Sequence, residues 1–370
     1  MNRRSGYLLV GLLLFALAFS VYLLHQADEI EEELVAGAEP LSVLMAGDVF
    51  FDDRVADLVD THGASYLVED VISELDPVDL KLVNLEAPIV EDADKWLDKQ
   101  HHLKQKPDLT LPLLKELGVD GVSLANNHIL DYGVEGLFST VSWLDHSGIK
   151  YAGAGPNRAL AERPVFFERK GRKLAFLAFS NTYPSDFWAT EKTAGTAFGE
   201  KDRVRQQVAD AASVADHVIV SFHWGRELYK LPRQYQKDLG RASIDAGADV
   251  VFGHHPHVLQ PVERYGDGVI FYSLGNYFFT TLTDNVQYGL IPRVKLSDAG
   301  VEIAGYHLIN VNNYQVNYRT QVVKTFQNFA ELRYYLAYDE KRYEAWDDTE
   351  INMVYEDPVT LTGSNPGRRH

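Results

Sequence analysis

Residues 216–278 read DHVIVSFHWGRELYKLPRQYQKDLGRASIDAGADVVFGHHPHVLQPVERYGDGVIFYSLGNYF, and this stretch decides the fold. Two apolar runs, His217 to Phe222 and Val250 to Phe252, read as buried strands. Between them, Arg233 to Ala246 has apolar residues at helical spacing and stops at Gly247. Strand, crossover helix and strand predict a parallel pair. Histidines stand at both carboxyl ends: His223 after the first strand, and His254, His255 and His257 after the second. Open α/β sheets place their sites at such ends. A third run, Val269 to Tyr272, leads into Ser273-Leu274-Gly275-Asn276.

Upstream, the same grammar repeats. Leu41 to Ala46 predicts a strand ending in Gly47-Asp48, and a helix is expected around Val55 to Val68. Leu80 to Leu85 predicts a strand that delivers Glu86, and the polar patch Glu91 to Lys106 reads as a loop or lid over the strand ends. Pro112 to Leu117 predicts a helix, Gly121 to Ala125 a strand ending in Asn126-Asn127-His128, and Glu135 to His146 a helix closed by Gly148. Hairpins are expected at Pro164 to Phe179 and Leu290 to Asn310, with a helix over Asp202 to Ala215. The expectation is an α/β body with antiparallel additions, two sheets with helices outside, over residues 41–315. Thr320 to Leu336 predicts an amphipathic helix, and Pro358 to His370 a frayed tail, within a C-terminal segment 316–370.

Composition narrows the function classes. With 370 residues and 46% hydrophobic content the chain can bury a large core. A formal charge of -18 argues against nucleic acid as a partner, because a phosphate backbone requires a basic field. The chain has no cysteine, so disulfides, thiolate ligands and thiol nucleophiles are excluded.

The amino terminus bears on location. Tyr7 to Leu24 is uncharged and apolar, preceded by Arg3 and Arg4 and followed by Asp28, Glu29, Glu31, Glu32 and Glu33. Such a run can just cross a bilayer of ~30 Å. Residues 1–28 are read as a cytoplasmic stub with a single transmembrane helix, and residues 29–40 as an acidic tether. The leading arginines keep the terminus inside, so the body is expected outside the inner membrane. A cleaved signal peptide is the rival reading, but the run is long for one and glutamates follow where small residues would mark cleavage.

Five positions follow predicted strands: Asp48, Glu86, Asn127 with His128, His223, and the cluster at 254–257. Carboxylate, amide and imidazole converging at strand ends are the donors of a divalent metal centre. One or two ions there would activate water and stabilise an in-line displacement. His128 is the candidate general acid and Asp131 its orienting partner. A capped helix start also explains Asn126, Asn127 and Asp131. Trp224, Arg226, Ser273 and Asn276 join Asn126 as candidates for lining the substrate pocket. No Gly-x-Ser-x-Gly elbow and no phosphate-binding glycine loop with a lysine is present.

The motif set resembles the CapA family of bacterial capsule and poly-γ-glutamate synthesis proteins. It comprises Gly47-Asp48-Val49, Asn84-Leu85-Glu86-Ala87-Pro88, Leu124 to His128 with Asp131-Tyr132-Gly133, Gly153-Ala154-Gly155, Ser221 to Gly225, Gly253 to His257 with Gln260-Pro261, and Tyr272 to Asn276. The resemblance implies a relation to calcineurin-like metallophosphatases and hence a four-layer αββα sandwich. It implies metal ligands at Asp48, Asn127, His223 and among His254, His255 and His257, with His128 catalytic and Mn, Zn or Fe as the metal. Glu86 stands where those enzymes carry a bridging aspartate, and Phe50 where they carry a histidine. The family implies a membrane-anchored partner of a polymer ligase or export complex acting on an anionic polymer or a phosphoester. Three functional readings result: a phosphoester hydrolase, an amide hydrolase acting on polyglutamate, and a polymer-binding partner without catalysis. For polymer binding, the negative charge requires a local basic patch, for which Lys99, Lys104 and Lys106 near His101 and His102, and Arg226, are candidates.

Overall fold

The computed structural model describes residues 39–324 apart from 76, 98 and 100. The predicted anchor at Tyr7 to Leu24, most of the tether and the chain beyond residue 324 fall outside these residues. Among the described residues no helix is long and apolar enough to cross a membrane.

The first half alternates strands β1 (Leu41–Phe50), β2 (Leu80–Leu85), β3 (Gly121–Ser123) and β4 (Lys150–Ala152) with helices α1 (Ala56–His62), α2 (Ser65–Ile72), α3 (Pro107–Glu116) and α4 (Gly133–Ser147). The second half adds β5 (Val165–Arg169), β6 (Arg172–Ser180), α5 (Lys201–Ala212), β7 (His217–His223), α6 (Gln234–Asp245) and β8 (Val250–His254). Then come β9 (Leu259–Tyr265), β10 (Gly268–Leu274), β11 (Asn276–Phe279), β12 (Tyr288–Ser297), β13 (Gly300–Asn310) and β14 (Gln321–Val322). The helix expected around Val55 to Val68 is two helices interrupted at Gly63, and the segment expected to be helical from Thr320 opens with strand β14. Pairing explains the second difference, because Gln321 and Val322 complete the exposed edge of β13.

One sheet runs β14–β13–β12–β1–β2–β3–β4, with β11 also on β1, and the other runs β9–β10–β8–β7–β6–β5. The pairs β7/β8 and β8/β10 are parallel, as the crossover helix α6 requires. Period-two alternation then makes four layers. Leu44 and Ala46 of β1 pack toward Leu67 and Val68 of α2 and Leu113 of α3. Val43 and Met45 face the opposite way, toward Phe176, Ile219, Phe252 and Phe271 of the second sheet. The far face of that sheet, through Val218, Val220 and Phe222, meets Val204 and Val208 of α5 and Leu239 of α6.

The amino-terminal edges of the parallel strands share one device. Asp79, Asp120, Asp216 and Asp249 each stand immediately before a strand, at the dipeptides Val78-Asp79, Val119-Asp120, Ala215-Asp216 and Ala248-Asp249. Each carboxylate accepts a backbone N–H of the neighbouring strand, from Ser42 at 2.8 Å, Lys81 at 2.9 Å, Lys173 at 2.7 Å and Val218 at 2.7 Å. Each aspartate N–H returns a bond to the carbonyl of that same residue. The reciprocal pair fixes register where the ladder begins and satisfies donors that the strand leaves open.

Asp249→Ala removes the acceptor for Val218 N–H while leaving both apolar faces of β7 intact. It is expected to cost about 1–2 kcal/mol, the order of a lost hydrogen bond to a charged group. Urea denaturation would read this as a lower midpoint at unchanged slope. An unchanged midpoint would mean that water replaces the carboxylate at no cost.

Candidate metal centre

The alternation that builds the core also aims the site. On β7, Ile219 packs between the sheets, so His223 shares its side. On β8, Val250 and Phe252 are followed in the same row by His254, and on β2, Leu82 is followed by Asn84 and then Glu86. Asp48 reaches the seam by a different route. The pairing of β1 with β2 slips between Met45 and Asp48, so Gly47 acts as an extra residue that changes which face the next side chains take. Only glycine fits there, because a Cβ would lie 1.8 Å from the carbonyl oxygen of Gly275. Gly275, at φ 65°, is the corner where the chain leaves β10 for β11, and it brings Asn276 opposite Asp48.

Asp48, Asn84, Glu86, His223 and His254 are all 0% exposed. Asn84 Nδ2 donates to Asp48 Oδ1 at 2.8 Å and to Glu86 Oε2 at 3.4 Å. His254 Nδ1 lies 3.2 Å from Asp48 Oδ1, and His257 Nδ1 lies 3.2 Å from Asp48 Oδ2. Glu86 Oε1 stands 3.7 Å from His223 Nε2 and 3.5 Å from His257 Nε2. His223 Nε2 also contacts Asn127 Oδ1 at 2.8 Å. Two groups bring potential ligand atoms within 4.8 Å of one another, Glu86 with His223 and His255, and Asp48 with Glu86 and His257. Glu86 is common to both, the place a bridging carboxylate would take.

The donor set fits divalent cations on two further counts. Glu86 Oε1, His255 Nδ1 and His254 Nε2 are buried without a hydrogen-bond partner, a costly state for polar atoms unless something else satisfies them. His255 and His257 also hold left-handed backbones, at φ 92° and 57°, flanking Pro256. Non-glycine residues there cost on the order of 1–3 kcal/mol each, and such strain collects at functional sites.

Electrostatics sorts the groups by role. Burial drives His223 well below the usual imidazole range, reinforced by His255, and pushes His255 down to about 3. Both are neutral rings, the ligand form of histidine. Burial opposes charge on His257, yet Glu86 and Asp48 outweigh it and push the ring up to about 10. Burial likewise opposes charge on Asp48, but His254 and His257 hold the carboxyl well below the usual range. Glu86 is raised well above it by burial and by Asp48.

His128 forms a second unit beside this cluster. Its Nδ1 meets Asp131 Oδ2 at 2.7 Å, which leaves Nε2 as the free nitrogen, and the ring lines a cleft of about 760 Å³ with His257 and Asn276. Burial lowers its pKa, against the pull of Asp131. Asn126 sets the turn, its Oδ1 accepting from His128 N at 3.1 Å and Ile129 N at 2.9 Å while its Nδ2 bonds Leu85 O. The polar patch at 91–106 does cover the strand ends. Lys99 bonds Asp131 and the carbonyl of Asn127, Leu103 N donates to Asp131 Oδ2 at 2.7 Å, and Trp96 stacks on Phe187.

Several predicted pocket residues lie elsewhere. Trp224 follows His223 by one position and so points to the opposite face, where its buried ring stacks on Phe222 and donates to Tyr272 O. Arg226 is exposed and stacks on Tyr229 outside the cleft lining. Ser273 donates to Val258 O at 2.7 Å and accepts from Gly275 N, so it shapes the corner. Asn276 does reach the cluster, with Oδ1 2.8 Å from His257 Nδ1. His254 touches Asp48 but joins neither three-residue group. Sequence reasoning missed Asn84, although the strand face it shares with Glu86 was a usable signal, and it missed that Lys99 turns inward to Asp131.

A family model described as "Bacterial capsule synthesis protein PGA_cap" matches residues 42–281. The capsule biosynthesis protein CapA of Bacillus anthracis is 33% identical over 280 residues, covering 74% of this chain and 68% of that one. The PGA biosynthesis protein CapA of Bacillus subtilis (strain 168) is 33% identical over 241 residues, covering 65% of this chain and 63% of that one. Among solved structures, a novel phosphatase of Mycoplasma pneumoniae is similar at 12% identity and a TM-score of 0.48, covering 76% of this chain and 97% of its own.

Cation uptake by this cluster would require Glu86 to give up a proton that burial and Asp48 make it hold, and His257 one that Glu86 and Asp48 hold there against burial. Titrating Mn²⁺ or Zn²⁺ into metal-free protein at pH 7 is expected to release roughly one to two protons per protein, with affinity rising from pH 6 to pH 9. Calorimetry in buffers of different ionisation heat measures this. Uptake without proton release would mean that these two groups are not ligands.

Proposed function

The chain belongs to the bacterial capsule synthesis protein family PGA_cap, and on that premise we propose that it is a divalent-metal hydrolase of capsule biosynthesis that cleaves a phosphoester. The carrying observation is Glu86, buried and shared between two groups of potential ligands with an unpartnered oxygen. Asp48, Glu86, His223, His255 and His257 would hold one or two ions, with Asn127 beside His223 as the amide donor. The bound metal would supply Lewis acidity and an activated water. Asn84 anchors Asp48 and Glu86 through its Nδ2, so neither carboxylate must reorganise when substrate arrives.

His128 carries the proton traffic. Asp131 accepts from Nδ1 and leaves Nε2 directed at the cleft, where it can take a proton and return it to a leaving oxygen. Because burial lowers its pKa, the ring rests neutral and must be charged before it acts as an acid. The segment 91–106 borders that side, held by Lys99 and by Gln105, whose side chain bridges Phe51 N and Ala87 O.

We place the body outside the cytoplasmic membrane, anchored by Tyr7 to Leu24 and working beside a membrane ligase or export complex. The arginines ahead of the apolar run support this topology. Protease added to intact spheroplasts should digest the body, and protection would reverse the orientation.

The activity is tested with the full chain, Mn²⁺, Zn²⁺ or Fe²⁺, and a panel of phosphomonoesters and phosphodiesters. His128→Ala is expected to lower turnover by about 10²–10⁴-fold at near-normal metal content, whereas Asp48→Ala loses both. Metal bound in stoichiometric amount with no turnover on any ester would sink the hydrolase.

A further inference from the structure

Leu228 is a leucine where the backbone favours glycine or asparagine. Its φ is 63°, a left-handed conformation that bulky L side chains seldom adopt, and the residue is 44% exposed. Neither core packing nor backbone preference accounts for it. Its N–H donates to Pro256 O at 2.8 Å, between His255 and His257, so the residue is tied to the loop that carries two of the potential metal ligands.

Leu228 lines the cleft of about 760 Å³ onto which His128 faces, and it has apolar company there in Phe50, Leu103, Tyr132, Phe279 and Val286. Phe279 is half-buried, its ring centre 4.9 Å from that of His257 and 5.1 Å from that of Phe50, which is buried. An apolar wall therefore begins where the cluster ends. The charges of the cleft offset one another. Apart from the histidines, Asp52, Asp53 and Glu227 balance Arg54, Lys104 and Lys106. Arg54 pairs with Asp52 at 2.6 Å and Lys106 with Asp53 at 2.9 Å, while Lys104 Nζ lies 5.5 Å from the centre of the Tyr132 ring. A cleft with balanced charge and an apolar wall selects by desolvation more than by charge.

His128 fixes which part of a substrate meets this wall. Its free Nε2 protonates the leaving oxygen, so the group on that oxygen departs into the cleft that His128 lines. We propose that the cleft is a leaving-group subsite for an apolar alcohol, with Leu228 and Phe279 as the residues that determine the preference. The proposal deepens the hydrolase reading and rests on it for the direction in which the alcohol departs. The bond from phosphorus to the alcohol oxygen breaks as the bond from the water oxygen forms. A proton of that water passes through His128 Nε2 to the alcohol oxygen, which leaves as a neutral alcohol.

The test reads binding as well as turnover. Hexylphosphonate and methylphosphonate carry their alkyl groups where an ester carries its alcohol, and their carbon–phosphorus bond withstands hydrolysis. Calorimetry with the full, metal-loaded chain measures both. Each methylene withdrawn from water is worth roughly fourfold in affinity, so the hexyl compound is expected to bind about tenfold or more tightly. That ratio is expected to hold as salt rises, since it does not arise from charge. Leu228→Asn keeps a residue that tolerates the left-handed backbone, and is expected to bring the two affinities within about threefold at no loss of melting temperature. Leu228→Gly suits the same backbone and serves as a second variant with the same expectation. Val214→Asn, at an exposed position outside the cleft lining, is expected to change the ratio less than about twofold. Equal affinities in the wild type, a ratio that survives both Leu228 variants, or binding of neither phosphonate overturns the proposal. A ratio that is present and lost on substitution, in a protein that turns over no ester, upholds the apolar subsite and counts against the hydrolase reading alone.

Discussion

The carboxylate of Asp48 is the constraint on which the rest of the structure depends. It is wholly buried between two sheets, where a charge without close partners would cost several kcal/mol. Asn84 Nδ2, the N–H of His255 and the rings of His254 and His257 converge on its two oxygens. Each partner imposes a demand elsewhere. Asn84 must end β2 on the inner face, Gly47 must bulge so that Asp48 turns inward, and the chain after β8 must take left-handed conformations at His255 and His257. The corner at Gly275 is bound to it as well, since β11 can run beside Asp48 only because Gly47 admits the close approach of that carbonyl.

The two ends of the parallel strands divide the labour. At the amino-terminal edges, the aspartates preceding β2, β3, β7 and β8 tie each strand to its neighbour through paired backbone bonds. The carboxyl edges hold the left-handed backbones of His255 and His257 and the unpartnered atoms of Glu86 and His254. A rigid frame at one end is what allows buried, incompletely satisfied groups to be held within a narrow geometry at the other.

Much of this was legible in the sequence because the two relevant periods are local. The runs at His217, Val250 and Leu80 became strands at nearly the expected bounds, and the histidines after them stand at carboxyl ends. What was lost is what a one-dimensional pattern does not carry. Trp224 looked like a pocket residue because it adjoins His223, but a strand sends neighbours to opposite faces. Strand β9 was missed because its partner β10 lies next in sequence and its pattern is interrupted by Pro261 and Glu263. Ser273 was read as a pocket group when its hydroxyl serves the chain's passage between sheets, a role that depends on knowing two sheets meet there. Asp131 was read as the partner of His128, which it is, but the lysine and the lid backbone on its carboxylate come from a stretch with no period at all.

The titration states arise from the same geometry. His257 spans both carboxyl groups, with Nδ1 toward Asp48 and Nε2 toward Glu86, and these two neighbours hold a proton on its ring against the opposing effect of burial. His223 and His255, at comparable depth, bridge no such pair, and burial leaves them neutral. Burial leaves a ring neutral here, and the two carboxyl groups reverse that at the ring that spans them. A divalent cation held by Asp48 and Glu86 would draw on the same carboxyl groups that hold the proton on His257, so loading such a cation would release that proton.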